Sequence, residues 1–210
     1  RECGALRQIF ALQAILTMHT DAAHVLLAQM RARTHVAPKR LSGLGPNADE
    51  LNLIFSAASH APDHGRIQPW RFIVVPPEKR ENLGQAFVQA LHIRDPQADQ
   101  TARDAAYDKA FRAPCLMLAV VNHTPREPDV PLQERLVSLG CAIQNMLLMA
   151  QALSIGSGIT SGQSMNASSL RRLFQLTDTE QGICFLNFGH VTSHKAARPR
   201  AAPENFVSTL

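Results

Sequence analysis

The sequence predicts an α+β fold, with helices packed on a small sheet. Three observations predict it. Segments of helical and strand-like pattern follow in the order helix, helix, strand, two helices, strand, long helix, strand, helix, strand, which is not a regular βαβ alternation. Pro114 opens Cys115-Leu-Met-Leu-Ala-Val-Val121, a continuous apolar run of strand length that reads as buried. Residues 132–153 carry apolar side chains at three- and four-residue steps, from Leu132 and Leu136 to Ala150 and Leu153. Val137, Leu147, Leu148 and Met149 widen that stripe beyond one face, so this longest helix is expected to be buried on several sides.

The first helix is expected over about 21–34, with Thr20 or Asp21 as its N-cap and Val25, Leu26, Gln29 and Met30 at roughly helical spacing. Pro38, Gly43, Gly45 and Pro46 mark 36–46 as loop. Asn47 and Glu50 form a capping box for a second helix. Its apolar face is Leu51, Ile54, Phe55 and Ala58, and it must stop near Pro62. A polar, irregular loop, His60 to Trp70, leads into the strand Arg71-Phe-Ile-Val-Val75, bounded by Pro76-Pro77. Helical patterns follow at about 78–92 and 98–111, with Asp95-Pro96 between them. Residues 122–131 are proline-rich loop. After the long helix come a Gly-rich stretch, Gly156 to Gly162, a short helix near Ser168 to Gln175, and a strand from Gly182 to Gly189. From Thr192 the chain is rich in Ala, Pro and Arg without a core pattern, so it is expected to be disordered or to lie across another surface.

Arg1 and Arg7 precede apolar residues 9–16 and loosely resemble a signal sequence, but no convincing cleavage site precedes Asp21. Met18 is read as the natural start. Residues 1–20 are an extension, and 21–210 are expected to form one domain.

Composition narrows the function classes. Apolar residues make up 45% and charged residues 18% of 210, enough for a sizeable core. The surplus of 21 Lys+Arg over 17 Asp+Glu is scattered, and aromatics are only 5%, so a nucleic-acid partner is not expected. No run reaches a membrane span. Cys3, Cys115, Cys141 and Cys184 form no Cys-x-x-Cys pair, which points to a reducing cytoplasm rather than a disulfide framework or zinc site.

The loop His60 to Trp70 is the most unusual stretch, gathering two imidazoles, a carboxylate and a guanidinium between prolines. His60 and His64 are four apart, which suits a metal only on a helix, and Pro62 argues against one; no metal is expected. Arg31, Arg33, Lys39 and Arg40, with Thr34 and His35, suit either a phosphate clamp or a solvated helix end. The 156–162 segment lacks the Gly-x-Gly-x-x-Gly order of a dinucleotide loop. No Gly-x-Ser-x-Gly elbow and no acid–base pair is visible, so no catalytic side chain is assigned.

Four motifs in order carry a resemblance. Ala61-Pro62-Asp63-His64-Gly65 with Gln68-Pro69-Trp70-Arg71-Phe72, then Phe111-Arg112-Ala113-Pro114 and its strand, Ser138 to Ala150, and Phe188-Gly189-His190 resemble the nitroreductase superfamily, especially its small bacterial members. The resemblance covers about residues 22–210. It implies a three-layer fold with a small mixed sheet flanked by helices, a long dimer-core helix, and a homodimer with exchanged terminal segments. It also implies FMN in two interfacial clefts, reduced by NAD(P)H and reoxidised by a small-molecule acceptor.

The family's Arg-Arg-Ser falls on Arg33, Thr34 and His35; its next two FMN contacts fall on His60 and His64; its Trp-Arg-Ser falls on Ile159, Thr160 and Ser161. The nicotinamide-side segment falls on Met149 to Ser154. Thr34, His35 and Thr160 depart from the pattern and remove two cations, for which Lys39, Arg40 or Arg198–Arg200 could compensate. A non-catalytic flavin-binding protein on the same fold and a helical interaction protein are the competing readings.

Overall fold

The computed structural model describes residues 21–125, 129–193 and 199–210; the expectations for residues 1–20, Met18 among them, and for Arg198 lie outside the described residues. Helix α1 runs through residues 21–32. Helix α2 (Ala48–Ser59) starts at the expected capping box: Glu50 N–H donates to Asn47 Oδ1 at 2.9 Å, and Asn47 N–H donates back to Glu50 Oε2 at 2.8 Å. Between them the expected loop holds a 3-10 turn, Pro38–Arg40, and a two-residue strand, β1 (Leu41–Ser42). Two residues carry no readable alternation, so only pairing with a distant strand reveals β1.

Strand β2 is Trp70–Val74, followed by α3 (Arg80–Arg94), α4 (Gln100–Tyr107), β3 (Cys115–Asn122), α5 (Leu132–Ala152), β4 (Gly156–Thr160), α6 (Ser168–Leu173) and β5 (Glu180–Val191). The helix expected to reach residue 111 loosens after Tyr107 into a 3-10 turn, Asp108–Phe111.

Strand β5 organises the sheet. Its residues 180–188 pair with β3, while on its other edge 185–189 pair with β4 and 190–191 with β1. Strand β2 closes the far side against β3. Every pairing among the described residues is antiparallel, which corrects the expected mixed sheet. The reason is the strand order. Strands β3 and β4 are joined by the single helix α5 and run the same way, but β5 lies between them and runs against both.

Helices cover both faces, giving three layers. Cys115, Met117, Ala119 and Val121 of β3 point towards α2 and α5, while Leu116, Leu118 and Val120 point towards α3 and α6. This two-sided burial is why β3 reads as a continuous apolar run. Burial pushes the thiols of Cys115 and Cys184 up to about 11, so both are neutral packing groups. Arg135, at the start of α5, is buried and donates to three carbonyls, those of Asn122, Thr124 and Val130, at 2.7–3.0 Å. It ties the end of β3 to the helix.

Glu180 performs the same task between β5 and β2 at the same end of the sheet, where it lies opposite Asn122 of β3. It is 6% exposed and accepts Arg71 Nε at 2.7 Å, Arg71 Nη2 at 3.0 Å and the Thr177 amide at 3.1 Å. The bonds from Arg71 hold its carboxyl below the usual range. A depressed carboxyl contributes stability that is present above its unfolded pKa and lost as pH falls through the folded one. Glu180→Gln should therefore cost about 1–3 kcal/mol at pH 7. The gap to the native chain should close as pH falls through the carboxylate range, measured by urea unfolding.

Candidate functional site

The eight residues singled out from the sequence fall into two groups. The first surrounds β4. Where α1 ends, the chain crosses the strand: Val36 N–H donates to Ser157 O at 2.9 Å. A Cβ on Gly158 would collide with the Val36 carbonyl and press on the His35 ring, so the approach needs a glycine. Arg33 and His35 are thereby set beside β4, with Thr34 exposed between them.

This corner is crowded with positive charge. Burial lowers the Arg33 pKa and Arg200 lowers it further; burial, then Arg33 and Arg40, lower that of His35. Such depression marks cations that an anion would relieve. The Arg40 carbonyl accepts the amide and the hydroxyl of Thr192, both at 3.0 Å, and its Nη1 donates to Ser193 O at 3.1 Å. The Nε of Arg40 is buried without a partner among the described residues. On β4 itself, Ile159 lies opposite Leu186 on the α2/α5 face and is 40% exposed. Thr160 lies opposite Phe185 on the other face, where its hydroxyl accepts Asn187 Nδ2 at 3.0 Å, and Ser161 is exposed beyond the strand end.

The second group sits in the loop before β2. His60 is the exposed C-cap of α2, and His64 Nδ1 meets Glu134 Oε2 of α5 at 2.6 Å. Gly65, Arg66 and Gln68 all have positive φ, at 70°, 53° and 42°. Two of these are non-glycine, a conformation held at a cost of about 1–3 kcal/mol each. Asp63 holds them: its Oδ2 accepts Gln68 N–H at 2.7 Å and its carbonyl accepts Arg66 N–H at 3.1 Å. Its Oδ1 is buried without a partner among the described residues. Trp70 anchors the loop by donating to Ser138 Oγ at 3.1 Å inside the core. A cavity of about 810 Å3 opens here between α2 and β2.

One copy does not bring the groups together. Strand β4 and the loop leading into β2 lie on opposite edges of the sheet, with β5 and β3 between. Three strand spacings make about 14 Å.

A second cavity, of about 420 Å3, opens next to Thr160 and Ser161 on the α3 face. Arg94, Lys109, Arg112 and Asn187 line it. Sequence reasoning missed these side chains. They come from the end of α3, the turn after α4, and β5, and only Arg112 lies in a motif that stood out. Met149 to Ser154 form the last turn of α5 and the bend into β4, where Ser154 is left-handed at φ 59°. No metal-holding group of three His, Cys, Asp or Glu occurs among the described residues.

Comparison with known proteins places the fold. The profile of the nitroreductase family matches residues 44–190. The chain is 32% identical over 156 residues to "Putative NAD(P)H nitroreductase" of Haemophilus influenzae, covering 74% of this chain and 84% of that one. Its fold is similar to the nitroreductase-like family protein from Bacillus cereus, with TM-score 0.73, 17% identity, and 88% and 95% of the two chains covered. It is also similar to a nitroreductase with bound FMN from Bacteroides fragilis, with TM-score 0.69, 19% identity, and 88% and 98% covered.

The packing at Gly158 gives a direct test. Gly158→Ala should displace residues 33–36 from β4 at a cost of about 1–3 kcal/mol. Limited trypsin digestion should then cut after Arg33 several-fold faster, and an unchanged rate would contradict the contact.

Proposed function

The chain belongs to the nitroreductase family, and from that premise we propose that it is an FMN-dependent oxidoreductase acting as a homodimer, with NAD(P)H as donor and a small molecule as acceptor. The observation that carries this reading is the division of the expected cofactor residues between opposite edges of the sheet. Two copies related by a two-fold axis would complete two sites, each taking Arg33, Thr34, His35, Ile159, Thr160 and Ser161 from one copy and His60 and His64 from the other.

The exposed apolar surface supports a second copy. Val25, Leu26, Leu27 and Met30 of α1 are 42–63% exposed, and Val137 of α5 is 65% exposed. Every residue of α1 is exposed, and so much apolar surface in water calls for a partner. Residues 199–210 are exposed throughout, Phe206 and Val207 among them, which suits a tail exchanged onto the neighbouring copy.

The residues fit FMN at two points. The Arg33, His35, Arg40 and Arg200 cluster suits its phosphate, and Arg40 Nε, without a partner among the described residues, is a donor open to an acceptor. Arg40 and Arg200 thus stand in for the cations missing at Thr34 and Thr160. Thr160 and Ser161, at the open end of β4, would meet the edge of its flat ring. FMN, when bound, supplies the two-electron chemistry that joins donor to acceptor. The chain's own part is to bind, to orient and to exclude water, and no side chain is required as an obligatory acid or base. Free Cys115, Cys141 and Cys184 suit a cytoplasmic location. Among the described residues no helix is long and apolar enough to cross a membrane.

The test is an absorbance spectrum after incubation with FMN and desalting. Flavin bands should persist and bleach with NADH or NADPH, while riboflavin, which lacks the phosphate, should wash out. Replacing Arg33 by Ala and Arg40 by Gln together should weaken FMN at least about tenfold. Bands that persist without bleaching would make the chain a non-catalytic flavin-binding protein. No retained flavin would overturn the proposal.

A further inference from the structure

We propose that the cavity beside Thr160 and Ser161 is an acceptor subsite selective for small aromatic acids, an inference that rests on the oxidoreductase reading above. The cavity has two zones. Its inner wall is apolar and buried, made by Phe87, Leu116, Met165 and Phe185. Phe87 and Phe185 meet edge to face with ring centres 5.7 Å apart, which gives a firm aromatic surface. Its rim carries Arg94, Lys109 and Arg112.

The three cations line one space, and among the described residues none has a carboxylate partner. Among the described residues, no carboxylate lines the cavity. Arg112 spends one N–H on the Ala105 carbonyl at 3.3 Å, leaving the rest of its fork open. Burial at the wall lowers the Lys109 pKa, and Arg112 and Arg94 lower it further. Like charges held together cost stability unless something negative joins them. The Thr160 hydroxyl accepts from Asn187, so its own proton is free to donate towards the cavity.

Size and polarity select the occupant. About 420 Å3 suits a single-ring molecule, near the lower end of ligand sites. A 2′-phosphate of NADPH would use the cations but has no need of the aromatic wall. A ring carrying a carboxylate uses both, with the guanidinium forks gripping the carboxylate. For a nitroarene acid the overall reaction is R–NO2 + NAD(P)H + H+ → R–NO + NAD(P)+ + H2O. The nitro group gains two electrons and loses one oxygen as water.

The experiment compares 4-nitrobenzoate with its neutral counterpart 4-nitrobenzamide, with NADH as donor. The FMN-loaded native protein should favour the acid at least about tenfold in kcat/KM. Replacing Lys109 and Arg112 together by Gln should bring that ratio close to unity, and Arg94→Gln alone, at the end of α3, should lower it if the double variant does not fold. Equilibrium dialysis of 4-nitrobenzoate should show the same loss of affinity without turnover. It also separates the two proposals: selective binding of the acid to protein that retains no flavin would uphold the subsite while the flavin reading fails. Equal use and equal binding of acid and amide would overturn the proposal. So would an acid preference that survives the substitutions, or variants that change only the NADPH-to-NADH ratio.

Discussion

The placement of β5 in the sheet governs everything else in this chain. One edge of β5 holds β4 and β1, the other holds β3 and, beyond it, β2. That order puts the cation-rich end of α1 against β4 and the strained histidine loop ahead of β2. Neither group can reach the other within one copy, because two fully paired strands stand between them. A rigid, doubly covered sheet cannot bend to close such a gap, since its packed layers on both faces resist shear. In the proposed dimer, joining the groups falls to association between copies.

The energetics agree with that division of labour. Side chains that hold the fold are satisfied within it. Arg135 donates to three carbonyls, Glu180 accepts from Arg71 and Thr177, and Trp70 donates to Ser138. The unsatisfied features gather elsewhere. Among the described residues, the unpartnered Arg40 Nε and Asp63 Oδ1, the depressed cations Arg33, His35 and Lys109, and the left-handed Arg66 and Gln68 all lie at the edges of the sheet or in the loops beside it. Unpaired buried polar atoms and held backbone strain are costly. Their concentration away from the core marks surfaces built to receive something else.

Much of this was legible in the sequence because it is written locally. The Asn47–Glu50 box, the unbroken apolar run of β3 and the stripe of α5 each signal through neighbouring residues, and all three stand where they were expected. The strand β1 did not, since two residues have no period and its partner lies about 150 positions away. The Gly-rich 156–162 stretch stood out in the sequence, but that Gly158 lets the His35–Val36 backbone lie on β4 could be known only from the fold. The cations Arg94, Lys109 and Arg112 belong to three separate turns of chain, and no spacing rule joins them. The mixed sheet implied by resemblance gave way to an antiparallel one because strand order, not strand identity, decides direction between neighbours.

In the proposed dimer each site takes Arg33 from one copy and His64 from the other. Co-expressing an Arg33→Ala chain with a His64→Ala chain, then measuring bound flavin, tests it most directly. Each variant alone should retain little FMN. In the mixed population, half the pairs combine one chain of each kind, and in those one of the two sites keeps both native residues. Flavin retention should recover to about one site in four. Retention no better than either variant alone would contradict it.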